Sequence, residues 1–210
     1  MSNPHKPGEA ASPTSPAPSR APTDALKGLG EASAFRQRGP APVHLWNPPD
    51  CGDIDMRIAA DGTWFYCGSP IGRAPLVQLF ASILRKDGDR TVLVTPVEKV
   101  GIRVDDAPFL AVEMTAGEGA DGPVLTFRTN VEDSVAAGPD HPLRFERGAA
   151  EGLKPYVRVR GDLWALVKRS LYYDLVDRGE TERVAGEDWF GVRSGGLFFP
   201  ACPASEIEGL

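Results

Sequence analysis

The stretch that decides the fold begins Cys51-Gly52-Asp53-Ile54-Asp55-Met56-Arg57-Ile58, turns at Asp61-Gly62, and returns through Thr63-Trp64-Phe65-Tyr66. Alternation sorts the first run into two faces, with Asp55 and Arg57 on one and Met56 and Ile58 on the other. In the second run Trp64 and Tyr66 share a face opposite Phe65 and Cys67. Asp-Gly between alternating runs is a strong hairpin signal, because both residues tolerate the left-handed backbone of a tight turn. The reading is therefore a hairpin of strands over 55–59 and 63–67. Outward from it, Gly68-Ser69-Pro70-Ile71-Gly72 bends the chain toward a predicted helix over 75–85. Pro75 suits its first turn, where a missing N–H costs nothing. Leu76, Val77, Leu79, Phe80, Ile83 and Leu84 recur at helical spacing and give it a broad apolar stripe.

Further along, strands are predicted at 91–95, 97–104, 109–114, 124–129, 134–137, 143–146 and 156–160, with Pro96 a break between the first two. A second helix is predicted over 163–176, capped by Asp162 and stopped by Gly179. Its apolar set is Leu163, Trp164, Leu166, Val167, Leu171 and Leu175. Extended segments at 182–184, 189–192 and 197–199 close the chain. Arg73 to Phe80 and Arg160 to Val167 echo each other, each reading as an arginine, a cap and an amphipathic helix. The fold class is thus α+β, with two related β-rich units, each a mainly antiparallel sheet with one long helix. The divisions fall at 1–22, 23–95 and 96–210. The first segment is rich in Pro, Ser, Ala and Gly and lacks apolar area to offset its ordering entropy, so a disordered tail is expected there. A short helix from Thr23 or Asp24 to Phe35 and a proline-bearing arm anchored by Trp46 follow it.

Composition narrows the function. At 210 residues and 41% hydrophobic content the chain can bury one large core or two small ones. A formal net charge of −6 and a pI near 5.1 argue against non-specific nucleic-acid binding, which needs basic surface. No apolar run reaches membrane-spanning length, and the N-terminus lacks the apolar core of a secretory signal. Three cysteines, Cys51, Cys67 and Cys202, without close pairing fit a reduced, cytoplasmic compartment.

Catalytic motifs are absent. His5, His44 and His141 are scattered, and neither Cys-x-x-Cys nor His-Glu-x-x-His spacing occurs. Asp53, Asp55, Asp105 and Asp106 are better read as turn and capping carboxylates than as ligands of a hard cation, and Cys51 as a buried structural cysteine rather than a reactive thiol. Ser69, between Gly68 and Pro70, lacks the flanking glycines of a nucleophile elbow. What remains is a binding constellation. Lys99 and Arg103 share one strand face about 13 Å apart, and Arg57 and Arg73 come from the hairpin and the helix entrance. Ser69 adds a hydroxyl, Trp64 and Tyr66 a stacking surface for a base, and Asp105 and Asp106 complete the set. This reads as a non-enzymatic ligand-binding or regulatory protein with no catalytic and no metal-binding residues assigned and its cofactor unknown. The alternatives are a hydrolase or transferase acting on a phosphorylated small molecule, with Asp105 or Asp106 as base, and an adaptor presenting a sheet edge or Trp189-Phe190 to a protein partner.

The runs Cys-Gly-Asp-Ile-Asp-Met-Arg-Ile, Asp-Gly-Thr-Trp, Gly-Ser-Pro-Ile, Val-Thr-Pro-Val-Glu-Lys-Val and Val-Asp-Asp-Ala-Pro-Phe resemble the uncharacterised bacterial family known as the domain of unknown function twelve-eighty-five. The likeness covers roughly 25–205 and is densest over 44–112. It implies a duplicated core, a C-terminal half superficially similar to pleckstrin-homology folds, and a nucleotide-like ligand at the interface of the halves with a role in signalling.

Overall fold

The computed structural model describes residues 26–30, 41–148 and 152–207. The expected tail over 1–22 and most of the helix expected up to Phe35 lie outside these. The first sheet is built from β1 (Asp50–Ile58), β2 (Trp64–Tyr66), β3 (Ser69–Pro70), β4 (Leu84–Asp87), β5 (Arg90–Val94) and β6 (Lys99–Val104). The helix α1 (Ala74–Ser82) lies between β3 and β4 in sequence. The second sheet comprises β7 (Phe109–Gly119), β8 (Gly122–Thr129), β9 (Ser134–Ala136), β10 (Leu143–Arg147), β11 (Leu153–Arg160) and β12 (Leu163–Val167). After it come α2 (Arg169–Val176) and a three-stranded sheet of β13 (Gly179–Val184), β14 (Glu187–Ser194) and β15 (Leu197–Pro203).

The two large sheets have one topology. The first runs β3-β2-β1-β6-β5-β4, and the second, read from its other end, runs β9-β8-β7-β12-β11-β10. In each, the first and last strands meet at the centre as a parallel pair, and every other pairing is antiparallel. The duplication is therefore a repeat of strands, and it equates β12 with β6. The sequence echo between Arg73–Phe80 and Arg160–Val167 matched the wrong pieces, since one is the entrance and body of a helix and the other a strand hairpin. The expected division at 95/96 falls between β5 and β6, hydrogen-bonded neighbours in one sheet.

Local chemistry explains most of the elements. Met56, Ile58 and Trp64 are buried on one face of the first hairpin, where Ile58 pairs with Trp64 and Met56 with Tyr66. Arg57 pairs with Phe65 on the other face and stacks over its ring at 4.7 Å. The turn spans Ala59–Thr63, longer than Asp-Gly alone. Gly62 takes φ 82°, and Asp61 Oδ1 accepts the Thr63 N–H at 2.9 Å. Helix α1 carries Pro75 in its first turn and no side-chain cap, so its stability rests on its buried face. Phe80 and Ala81 lie on that face, and Phe80 stacks on Trp64 with ring centroids 6.2 Å apart. The chain leaves α1 for β4 at Leu84, where the sequence periodicity had continued the helix to 85.

The second predicted helix is corrected more strongly. Residues 163–167 form β12, with Leu163, Ala165 and Val167 buried and Trp164 and Leu166 half-buried, and only Arg169–Val176 is helical. Lys168 at ψ 140° separates them. Leu166, expected in the apolar set of a helix, therefore sits on the less buried face of a strand. Helices α1 and α2 have nine and eight residues, so neither is long. Gly179 opens β13 instead of closing a helix, and a Cβ there would collide with the Phe190 ring. The remaining predicted strands are present, several extended by a few residues.

One contiguous apolar core joins the units, running from Met56, Ile58 and Phe80 through Phe109 and Phe127 to Val192 and Phe199. The segment at 26–30 closes its edge. Lys27 donates its backbone N–H to Glu98 and accepts the Thr95 hydroxyl at 2.8 Å, while Leu26 and Leu29 are buried.

Candidate functional site

Most of the expected binding residues are held by partners within the fold. Trp64 is 1% exposed and faces Phe80, so it is a core residue and offers no platform for a base. Tyr66, its neighbour on that face, is half-buried against the same core. The reason is the pleat: the residues that pair with Met56 and Ile58 must share their inward face. Arg57 donates to Asp105 at 2.7 Å, and Arg103 approaches the same carboxylate at 3.8 Å. Lys99 reaches Asp87 at 2.9 Å and is 18% exposed. Ser69 is exposed on the short strand β3, and Arg73 is exposed at the entrance to α1.

Asp87 is the centre of a structural network. Arg85 grips it through two nitrogens at 2.6 and 2.9 Å, and donates another N–H to the carbonyls of Val43 and Trp46. This ties the arm over 41–49 to β4, a task the sequence reading gave to Trp46. The Arg85 guanidinium, then the Lys99 ammonium, hold the Asp87 carboxyl down to about 2. Since folding favours the ionised form, its stabilisation is complete above the unfolded value near 4 and is lost as pH falls through about 2. About 1–2 kcal/mol is expected, because the network is partly open to solvent. Urea midpoints of the wild type and Asp87→Asn should accordingly converge between pH 5 and pH 2, and a constant gap would contradict the assignment.

Asp106 stands at the junction of the units, in the link between β6 and β7. It accepts the Tyr156 hydroxyl and the Lys154 ammonium, each at 2.7 Å, and is 13% exposed. Burial, and then the bond to Asp106, push the Tyr156 phenol well above its usual value, so it serves as a neutral donor. The link is thereby fastened to β11.

Beside this fastening opens a cleft of about 710 Å3 between the units. Its first wall is the β4–β5 turn with Lys86 and Arg90, together with the end of β6 at Arg103. The facing wall is Arg144 on β10 and the Asp162–Trp164 turn. Arg144 lies over the Trp164 ring at 4.2 Å and the Tyr156 ring at 5.0 Å, pairs with Glu146 at 3.2 Å, and presents a flat surface that is 43% exposed. Arg90 is shared between Asp50 at 2.8 Å and Asp53 at 2.6 Å. Arg103 is 71% exposed, and its ion-pair contact among the described residues is the distant one to Asp105. Asp89, Asp106 and Asp162 also line the cleft, so its charge is mixed. Of the nine residues expected to bind, the cleft includes Arg103 and Asp106. Lys86, Arg90, Arg144 and Trp164 were not among them. Arg144 and Trp164 are twenty residues apart in sequence, and only the register of β10, β11 and β12 puts them on one face. Among the described residues no three His, Cys, Asp or Glu side chains gather as metal donors.

Two family models match end to end: "Domain of unknown function (DUF1285), N-terminal domain" over residues 41–107, and "Protein of unknown function (DUF1285), C-terminal domain" over 108–201. Each covers one copy of the six-stranded sheet, the second with α2 and most of the third sheet. A crystal structure of a DUF1285 family protein from Silicibacter pomeroyi DSS-3 is 52% identical, with a TM-score of 0.78, covering 87% of this chain and 99% of that one. Another, from Shewanella baltica OS155, is 30% identical over 58% of this chain and 90% of that one, with a TM-score of 0.47. No curated protein matches.

Proposed function

Given that the chain belongs to the DUF1285 family of unknown function, we propose that it is a non-enzymatic ligand-binding or regulatory protein, holding a nucleotide-like anionic small molecule in the cleft between its two units, with a role in signalling. The observation that carries this reading is the cleft itself, which brings cations from both units around about 710 Å3, within the size range of small-molecule sites. Arg103 supplies the least committed charge and Arg144 a flat face on which a base can stack. Asp106, fastened to Tyr156 and Lys154, is assigned a structural role in the cleft wall and not that of a base. We place the protein in the cytoplasm, since Cys51, Cys67 and Cys202 are all free thiols. To the same reading belongs the expectation, implied by the family resemblance, that the C-terminal unit is superficially similar to pleckstrin-homology folds.

A panel of nucleoside mono-, di- and triphosphates in a thermal-shift titration tests it. A ligand that binds only the folded state raises the melting temperature by mass action. A saturable shift is expected, weakened at least tenfold by Arg144→Ala and by Arg103→Ala. Absence of a shift with every member of the panel at millimolar concentration would remove the reading.

A further inference from the structure

A second cavity, of about 240 Å3, lies wholly within the C-terminal unit, between β10–β11, α2 and the third sheet. It shares no residue with the cleft. Phe145, Leu153, Leu175, Phe190 and Val192 give it apolar walls, and Leu175 and Val192 are nearly fully buried. Phe145, Leu153 and Phe190 are only half-buried, so this is a pocket open to solvent on one side, whose apolar walls a bound chain would cover. The two charged side chains of its lining are Arg147 and Glu206, paired at 2.5 Å on the rim and 61% and 41% exposed. Two other polar groups line it, the Tyr172 phenol and the Cys202 thiol. Burial pushes both above their usual values, so each stays neutral and adds no charge to the wall.

We propose that this cavity binds a medium-chain aliphatic carboxylate, with the chain among the apolar walls and the carboxylate on Arg147, in the place that Glu206 takes in its absence. The pair already displays the geometry, since Glu206 is a carboxylate seated on that guanidinium. Of the two partners Glu206 is the one that yields. Arg147 belongs to β10 and is paired with Leu153 of β11, whereas Glu206 ends a single 3-10 turn, Ala204–Glu206. The volume sets the chain length. If each methylene takes roughly the 30 Å3 of a liquid water molecule, the cavity accepts about eight heavy atoms. This is too small for a nucleotide, so the ligand class differs from that of the cleft.

Octanoate titrated into the full-length protein by calorimetry tests the site, with octanol as the uncharged control. Octanoate is expected to bind once per chain, at least tenfold more tightly than octanol. Arg147→Ala should weaken octanoate about tenfold and bring it level with octanol. Glu206→Gln, which removes the competing carboxylate, should tighten octanoate severalfold and leave octanol unchanged. Both substitutions are on the exposed rim, and a thermal melt confirms folding before titration. No heat with octanoate at millimolar concentration would overturn the proposal. So would binding that neither variant changes, because that is the mark of non-specific amphiphile adsorption.

Discussion

Phe80→Ala is expected to cost about 3–5 kcal/mol, the range for removing a fully buried aromatic ring, and to lower the melting temperature by roughly 6–20 °C. Phe80 is 0% exposed and stacks on Trp64, itself 1% exposed. Helix α1 has only nine residues, no side-chain cap, no acidic residue in its first turn and no basic residue in its last. Little but burial therefore keeps it helical, and Phe80 is the largest side chain it buries. Loss of the ring should also wet the indole of Trp64, whose Nε1 has no hydrogen-bond partner in the core. The fluorescence of the folded variant should then shift to the red. Phe80→Leu, which keeps most of the volume, should cost less than half as much. Leu45→Ala, at a side chain 72% exposed, should change stability by less than about 0.5 kcal/mol. A Phe80→Ala loss below 1 kcal/mol would mean that α1 does not pack as described.

The parts of the fold that were legible are those in which one period dominates. Met56, Ile58 and Trp64 alternate cleanly with polar or half-exposed neighbours, and the strands they predict are present. Residues 163–167 were misread because a run of Leu, Trp, Ala, Leu and Val satisfies both periods. Leu163, Ala165 and Val167 fit an inward strand face as well as Leu163, Trp164, Leu166 and Val167 fit a helical stripe. What decides between them is not local. Ala165 and Leu166 pair with Val157 and Tyr156 on one side and with Phe109 and Leu110 on the other. Tyr156 and Val157 are near in sequence, across a hairpin, but Phe109 and Leu110 come from a distant segment, which a short window of sequence does not contain.

The candidate site was legible in its chemistry but not in its membership. Cations in excess of nearby acids suggested an anionic ligand, yet sequence does not say which carboxylate each cation meets. Lys99 and Arg103 were grouped because they share one strand face, and Arg57 because it comes from the neighbouring hairpin. The fold spends Arg57 on Asp105 and Lys99 on Asp87, and leaves Arg103 at the junction. The facing residues Arg144 and Trp164 lie in the second unit, and the duplication that brings the units together is a property of sheet topology. Its sequence trace is too faint to align the correct strands.

Arg160→Ala is expected to cost about 2–3 kcal/mol and, more tellingly, to loosen both units together. Arg160 ends β11 in the second sheet. One terminal nitrogen donates to Asp133 at 2.5 Å, in the loop between β8 and β9, and the other to the Ala81 carbonyl at 2.7 Å, near the C-terminal end of α1. The guanidinium also lies over the Phe109 ring at 4.9 Å. A cation suits that end of a helix, where unpaired carbonyls gather partial negative charge. Side-chain exposures of 22% for Arg160 and 33% for Asp133 place the pair between a surface bridge and a buried one, hence the intermediate magnitude. Arg160→Lys can reach one acceptor but not both, and should recover about half of the loss. The contiguous apolar core predicts a single unfolding transition for each variant. Hydrogen exchange then locates the damage. If Arg160 joins the units, amides of α1 and of the 130–133 loop should lose protection by similar factors in Arg160→Ala. Fraying of that loop with α1 unchanged would reduce the residue to a local contact of the second sheet, and the joining of the units would rest on the apolar core alone.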